Sequence, residues 1–353
     1  MARKEIILSI YIATYNRKDI ILQKVHDILS AKTGEFDIWV LDDNSSDGTF
    51  EELSQISDER LHLIKNDERQ GALENGAMIN WYRLLENVDG VFAFHLNDRD
   101  TFHINELIPF IEYLKKHRDS SGGLCDSFKG DQFFETPEEA LLNIAYMGSH
   151  PTGIVFNMER YHSIENRERL FTKQYSYIHP HDLVLGNLAQ YGKMFNYHKI
   201  WDLAERDSFA NNKSFLYKKG SARNAWFAPK ERMKEFNMFL DSLCLLNFSQ
   251  AIKKHKAELI AKSYLYYCTF NYAYYVSDSG QTSHYGIEPI KLKREDLKKE
   301  LYTFLKRSIR SLKDHNLLDS ERKYHHEMVL YFWKIYFGKP VWDFYKKVVH
   351  RKW

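Results

Sequence analysis

Cysteine is scarce in this chain. Three residues in 353, Cys125, Cys244 and Cys268, are too few and too scattered for a disulfide framework or a zinc site, which fits a reducing compartment. No run approaches the roughly 20 apolar residues that a spanning helix needs. The opening MARKEIILSIYIATYN imitates a secretion signal. However, Glu5 interrupts it, its apolar run is only Ile6 to Ala13, and polar Thr14-Tyr15-Asn16 follows where small residues belong. A cytoplasmic protein is therefore expected. Glycine-rich phosphate motifs are also missing. There is no GxGxxG after the first strand, no GxxxxGK[ST] and no GxSxG, which disfavours dinucleotide binding by a glycine turn, P-loop chemistry and a serine-hydrolase elbow. Internal repeats and low-complexity linkers are absent too.

What is present is core-forming. Hydrophobic residues make up 44% of the chain, enough for one large domain or two moderate ones. Net charge is only +2, but it is unevenly spread. Residues 1–210 hold 22 Lys and Arg against 34 Asp and Glu, while residues 211–353 hold 28 against 14. An acidic part suits cations; a basic part suits anionic lipid, a polyanion or the acidic part itself.

Residues 6–13, 36–41, 61–66 and 90–96 are apolar runs of strand length. Residues 18–30, 49–56, 73–86 and 104–117 have helical spacing, with Ile21, Val25, Ile28 and Leu29 on one face of the first. Four strand–helix alternations within 117 residues predict an α/β, doubly wound, mostly parallel sheet. Ligands of such sheets sit beyond the carboxyl ends of the strands. There the sequence sets polar clusters: TYN after the first strand, DDNSSDG after the second and NDRD after the fourth.

In HLNDRDTF, Asp98 and Asp100 are one residue apart at the end of an apolar strand. Strand alternation would turn both carboxylates to one side. Such a pair suits Mg²⁺ or Mn²⁺ shared with substrate phosphate; the plain alternative is an acidic turn with Asp98 paired to Arg99. Asp182 falls in the first turn of a helix opened by YIHPHD, where the helix dipole favours a carboxylate on structural grounds alone.

SIYIATYNR (9–17), VLDDNSSDGT (40–49) and NDRD (97–100), in this order and spacing, resemble the family 2 glycosyltransferases of GT-A fold over roughly residues 5–205. The resemblance implies a nucleotide-diphospho-sugar donor, UDP-sugar favoured, and a divalent cation, Mn²⁺ or Mg²⁺, on Asp98 or Asp100. It implies that Ala13, Tyr15, Asn16 and Asp43 line the base and ribose, with Asp43 accepting a uracil-type N–H. Asp42 is open to a structural role, and Asn44 and Asp47 are expected to brace the loop through side-chain-to-backbone bonds. In NDERQGALENGAMINW (66–81), Gly71 would let the backbone approach the nucleotide, and Arg69 and Asn75 are candidate contacts to sugar or phosphate. The alternative is a polar loop capping the next helix. Asn97 joins the diphosphate side. In YMGSHPTGIVFN (146–157), His150 and Thr152 are candidates under the donor sugar; the alternative is a turn before an edge strand. Asp182 matches the acidic residue that serves inverting members as general base, with His179 and His181 as neighbouring competitors.

Residues 1–207 are thus expected to form the GT-A domain, and 208–353 a basic, aromatic-rich region of helices at 230–248, 250–276, 294–315, 320–337 and 340–350. The aromatic stretch 264–278 reads as helix rather than strand. Its tail, GKPVWDFYKKVVHRKW (338–353), mixes aromatics with Lys and Arg. It suits a peripheral contact with the inner face of a membrane, or docking on its own domain or on a homodimer partner. Nucleic acid is not expected as a partner. The expected activity is inverting transfer of one sugar to a hydroxyl of a glycan, lipid-linked or protein-linked acceptor. The rival readings are a sugar-phosphate nucleotidyltransferase and a non-catalytic glycan- or membrane-binding protein on the same fold.

Overall fold

The computed structural model describes residues 5–72, 76–126, 130–146, 150–172, 180–203, 228–268, 293–318, 324–326 and 328–333, with Tyr272, Ile290 and Ser320. The chain divides into two compact units, Met1–Ser214 and Phe215–Trp353.

The first unit opens with β1 (Leu8–Thr14), α1 (Lys18–Leu29), β2 (Phe36–Asp42), α2 (Thr49–Leu53), β3 (Leu61–Lys65), α3 (Gly76–Leu85) and β4 (Phe92–His95). Leu8, Ile10 and Ile12 on one face of β1 and Ser9 and Tyr11 on the other are all buried, as a strand covered on two sides requires. On α1 the buried positions Ile21, Lys24, Val25 and Ile28 recur at helical spacing, so that face packs down and Lys24 is carried under the sheet edge.

After β4 come β5 (Thr101–Phe102), α4 (Ile104–Lys116), β6 (Gly122–Cys125), β7 (Gln132–Phe134), α5 (Pro137–Asn143), β8 (Ile154–Asn157), α6 (Met158–His162), α7 (Pro180–Leu188), β9 (Met194–Tyr197) and β10 (Trp201–Asp202). The main sheet runs β3-β2-β1-β4-β8-β6-β9-β7, and β5 pairs with β10 apart from it. The four strands expected from the sequence are all present and mutually parallel. Beside them β8 runs antiparallel to both β4 and β6. The strand after His150 is therefore central, not at an edge. Being reversed, it brings its first residues to the edge where β4 ends: the Gly153 N–H donates to the His95 carbonyl at 3.0 Å.

The second unit is helical where described: α8 (Pro229–Leu245), α9 (Gln250–Tyr267) and α10 (Arg294–Asp314). Its core takes Phe236 and Leu240 from α8, Ile260 and Leu265 from α9, and Leu301 and Leu305 from α10. Within it Arg232 and Glu235 form a buried ion pair, which Tyr264 Oη joins by donating to Glu235 at 2.7 Å. The aromatic stretch 264–278 is helical through Tyr267, and Cys268 and Tyr272 each have π-helical geometry. Residues 324–326 and 328–333 are helical. The helix expected at 340–350 and the basic tail lie outside the described residues. Among the described residues no helix is long and apolar enough to cross a membrane.

Candidate active site

The turns after β1, β2, β3 and β4 share the carboxyl-end edge of the parallel strands. The first two are tied together. Asn16 adopts φ 48°, its N–H donates to Ser45 Oγ at 2.8 Å, and its Oδ1 accepts the Ser46 N–H at 2.8 Å. Asp42 accepts from the Ser45 N–H at 3.1 Å and from the Ser45 hydroxyl, and burial raises its pKa against those bonds. Asp47 accepts the N–H groups of Lys18 at 3.0 Å and Thr49 at 3.1 Å. Asn44, at φ 60°, donates to the Asp67 carbonyl at 3.1 Å. Asp42 and Asp47 therefore hold the loop's own backbone, and Asn44 ties the loop to the turn after β3.

Asp43 points elsewhere. Its Oδ1 accepts from Asn66 Nδ2 at 2.7 Å and the Gln70 N–H at 2.8 Å, and its Oδ2 accepts the Gly71 N–H at 2.7 Å. The side chain is almost fully buried. A carboxylate oxygen has two acceptor sites, so Oδ2 can take one further N–H. Gly71 is needed here, but for a different close approach from the one expected. A Cβ on it would stand 2.7 Å from Asp43 Oδ2, so its missing side chain makes room for a carboxylate of the protein. Beside this group the Arg69 guanidinium lies 3.8 Å from the centre of the Tyr15 ring. Arg69 Nε is buried and has no acceptor among the described residues. Ala13 and Tyr15 are half-buried and Asn16 is exposed. Asn75 lies outside the described residues.

The segment 97–100 is a turn, closed by the Asp100 N–H on the Asn97 carbonyl at 3.2 Å. It is not a continuation of β4, so strand alternation does not set its side chains. Asp98 and Asp100 are both buried but go to different partners. Asp98 pairs with Arg17, from the start of α1, rather than with its neighbour Arg99. Asp100 Oδ2 accepts from Thr152 Oγ1 at 2.5 Å and Asn97 Nδ2 at 3.1 Å, with His150 Nδ1 at 3.6 Å. Lys24 donates to the Asp100 carbonyl, and burial lowers its pKa despite both aspartates. Among the described residues no three His, Cys, Asp or Glu side chains are gathered as a metal cluster. Two buried carboxylates nevertheless supply the hard oxygen donors that Mg²⁺ or Mn²⁺ takes when substrate phosphate and water complete its shell.

His95, the last residue of β4, faces inward. Its Nδ1 lies 2.8 Å from His181 Nε2 and its Nε2 lies 3.2 Å from Asn97 Oδ1. Trp81 stands edge-on to both imidazoles. Burial lowers the His95 pKa to about 3, so the ring is neutral. His181 and Asp182 are buried in the first turn of α7; His179 lies outside the described residues. α7 comes close to Tyr146 at Gly186, where a Cβ would meet Tyr146 Oη at 2.4 Å. Thr152 also accepts the Asn97 N–H at 3.0 Å, and His150 stacks on Trp201.

The structure thus gathers Asn97, Asp98, Asp100, His150 and Thr152 in one cluster, and Tyr15, Asp43, Arg69 and Gly71 around the second. Reasoning from sequence missed Arg17, Lys24, Asn66 and His95. His95 had a legible signal, a titratable residue inside an apolar strand. Lys24 had one too, a lysine on the apolar face of α1.

The sequence profile of "Glycosyl transferase family 2" matches residues 9–182. Among curated relatives, a putative teichuronic acid biosynthesis glycosyltransferase, TuaG of Bacillus subtilis, is 27% identical over 110 residues, 31% of this chain and 42% of that protein. The Escherichia coli WfaP, a UDP-Glc:alpha-D-GlcNAc-diphosphoundecaprenol beta-1,3-glucosyltransferase, is 39% identical over 66 residues, 19% of this chain and 26% of that protein. The matches span less than half of either relative. Among solved structures, S. aureus TarS 1-349 aligns with TM-score 0.59 and 13% identity over 94% of this chain and 91% of that one. Its complex with UDP-GlcNAc aligns at 0.55, with 12% identity over 94% and 91%. These structural likenesses establish the GT-A fold.

Proposed function

Residues 9–182 match glycosyl transferase family 2; from that premise we propose that the chain is a glycosyltransferase that inverts, moving one sugar from a UDP-sugar to an acceptor hydroxyl. The acceptor is proposed to be a glycan, free, lipid-linked or protein-linked. A lipid-linked one is favoured by the diphosphoundecaprenol-linked acceptor in the name of WfaP, and UDP by the UDP and UDP-GlcNAc complexes of TarS. The domain of transfer is proposed to be residues 1–207, with 208–353 serving the acceptor or an anionic membrane face on the cytoplasmic side.

One observation carries the mechanism. The turn bearing Asp98 and Asp100 is joined through Asn97 and His95 to the first turn of α7, which bears Asp182. A leaving diphosphate at the first would have an attacking hydroxyl at the second. Asp43 Oδ2 takes the uracil N–H at its remaining acceptor site, Tyr15 and Arg69 bound the base, and Arg69 Nε donates to the nucleotide. Asp98 and Asp100 would hold a divalent cation, which when bound neutralises diphosphate charge. Asp182 takes the proton of the acceptor hydroxyl. That oxygen then bonds to the anomeric carbon, the bond from that carbon to the diphosphate oxygen breaks, and UDP leaves with the electron pair. Direct displacement inverts the anomeric centre.

Asp182→Asn tests this reading. It keeps the size of the side chain and removes the base, which costs about 10²–10⁴-fold in turnover. UDP affinity stays near wild type, since the nucleotide contacts lie on other turns. Turnover close to wild type would show that the base lies elsewhere.

A further inference from the structure

A directed chain of hydrogen bonds runs under the proposed site, and its directions follow from chemistry. The Asp100 carboxylate only accepts, so the Asn97 group facing Oδ2 is the amide nitrogen, 3.1 Å away. That orientation turns Asn97 Oδ1 to His95 Nε2, which must donate to it. A neutral ring that donates from Nε2 presents a lone pair at Nδ1. His181 Nε2 must therefore donate to His95 Nδ1, across 2.8 Å. Every link is one-way, from α7 through β4 to the turn after β4.

Aromatic side chains surround these links. His95 and His181 are each 1% exposed. Tyr11 stands edge-on to His95, Trp81 edge-on to both rings, and Phe156 is stacked on His181. A buried donor or acceptor left without its partner is costly. The bond between His95 Nδ1 and His181 Nε2 therefore favours one arrangement of the pair, and that arrangement sets α7 against the turn.

Resting on the reading of Asp182 as base and Asp98–Asp100 as the diphosphate side, we propose that His95 and His181 are positioning residues. They fix the base on α7 at one distance and angle from the leaving group. Neither touches donor or acceptor. Asp182 follows His181 directly, so a shift of the His181 ring moves the base with it. A misplacement of about 1 Å in such a group costs on the order of 10²-fold in rate.

The test compares His95→Phe, His95→Gln, His181→Phe and the double Phe variant with wild type and with Asp182→Asn. The readouts are kcat, UDP affinity and melting temperature. Phe keeps the aromatic packing and cuts the chain; Gln can accept from His181 and donate to Asn97. The expected result is a kcat reduced about 10–100-fold in each Phe variant, with UDP affinity within about twofold and most of the rate restored in His95→Gln. The double variant should lose no more than the worse single, because both cut one chain. His95→Phe turning over within about twofold of wild type, while Asp182→Asn is inactive, would overturn the inference and leave the base intact. Multiplying losses in the double variant would also overturn it. Turnover retained by Asp182→Asn would instead overturn the reading beneath it. Should His95→Phe fail to fold, His181→Phe and His95→Gln give the same kcat-against-affinity comparison.

Discussion

Asp43 is a carboxylate with three protein donors and room for one more. Its position depends on a neighbour that has no side chain. In Gly71→Ala the new Cβ would sit 2.7 Å from Asp43 Oδ2, so the carboxylate or the turn must move. The expected outcome is weaker UDP binding, by about tenfold or more, together with destabilisation of about 1–3 kcal/mol from donors left buried without an acceptor. Calorimetric titration beside thermal melting checks both. His95 makes a pH prediction. Its folded pKa of about 3 lies below the unfolded value of about 6.5. Between those values the unfolded chain binds the extra proton, so this group removes stability as pH falls from about 6.5 toward 3 and contributes nothing above that window. The slope of melting temperature against pH over that range should be shallower in His95→Gln than in wild type. Asp43 was legible as a candidate because acidic residues crowd one turn. That Asn66 and Gly71 are its partners was not legible, because 23 and 28 positions of chain separate them from it. Only the pairing of β2 with β3 brings them near.

At the scale of elements, the four parallel strands and their helices could be read from apolar runs and helical spacing, although β3, at the sheet edge, is only half-buried. Two features could not. The end of β4 at His95 rather than at residue 96 is set by the turn bond from Asp100 to Asn97, which no periodicity announces. The reversed strand β8 reads like any apolar run, because direction leaves no mark on hydropathy. It is β8, however, that sets Thr152 and His150 beside Asp100. The helix α7 offers the prediction of this scale. It passes close enough to Tyr146 that a Cβ at position 186 would fall 2.4 Å from the phenol oxygen. Gly186→Ala should push the helix outward and carry Asp182 with it. Turnover is then expected to fall about 10-fold or more, with UDP affinity within about twofold. Steady-state kinetics beside UDP titration checks this. A loss of UDP affinity in proportion to turnover would mean that α7 lies on the donor side.

As a whole molecule, the chain joins an α/β unit rich in carboxylates to a helical unit rich in Lys and Arg. The sequence itself changes along its length, in charge and from alternating strands to helical runs. The chemistry assigned to the first unit makes one claim on which the rest depends: a UDP-sugar is bound at the carboxyl ends of β1, β2 and β4 with help from a divalent cation. The direct measurement is thermal melting of the full chain across a panel of nucleotide-sugars, with Mn²⁺ and with chelator, in wild type and Asp43→Ala. A donor at 100 times its dissociation constant stabilises by about 2.7 kcal/mol, a readily measured shift. The account predicts that UDP and at least one UDP-sugar raise the melting temperature of wild type, more with Mn²⁺ than with chelator, and that Asp43→Ala abolishes most of the rise. No shift with any UDP compound, or an equal shift in Asp43→Ala, would contradict it.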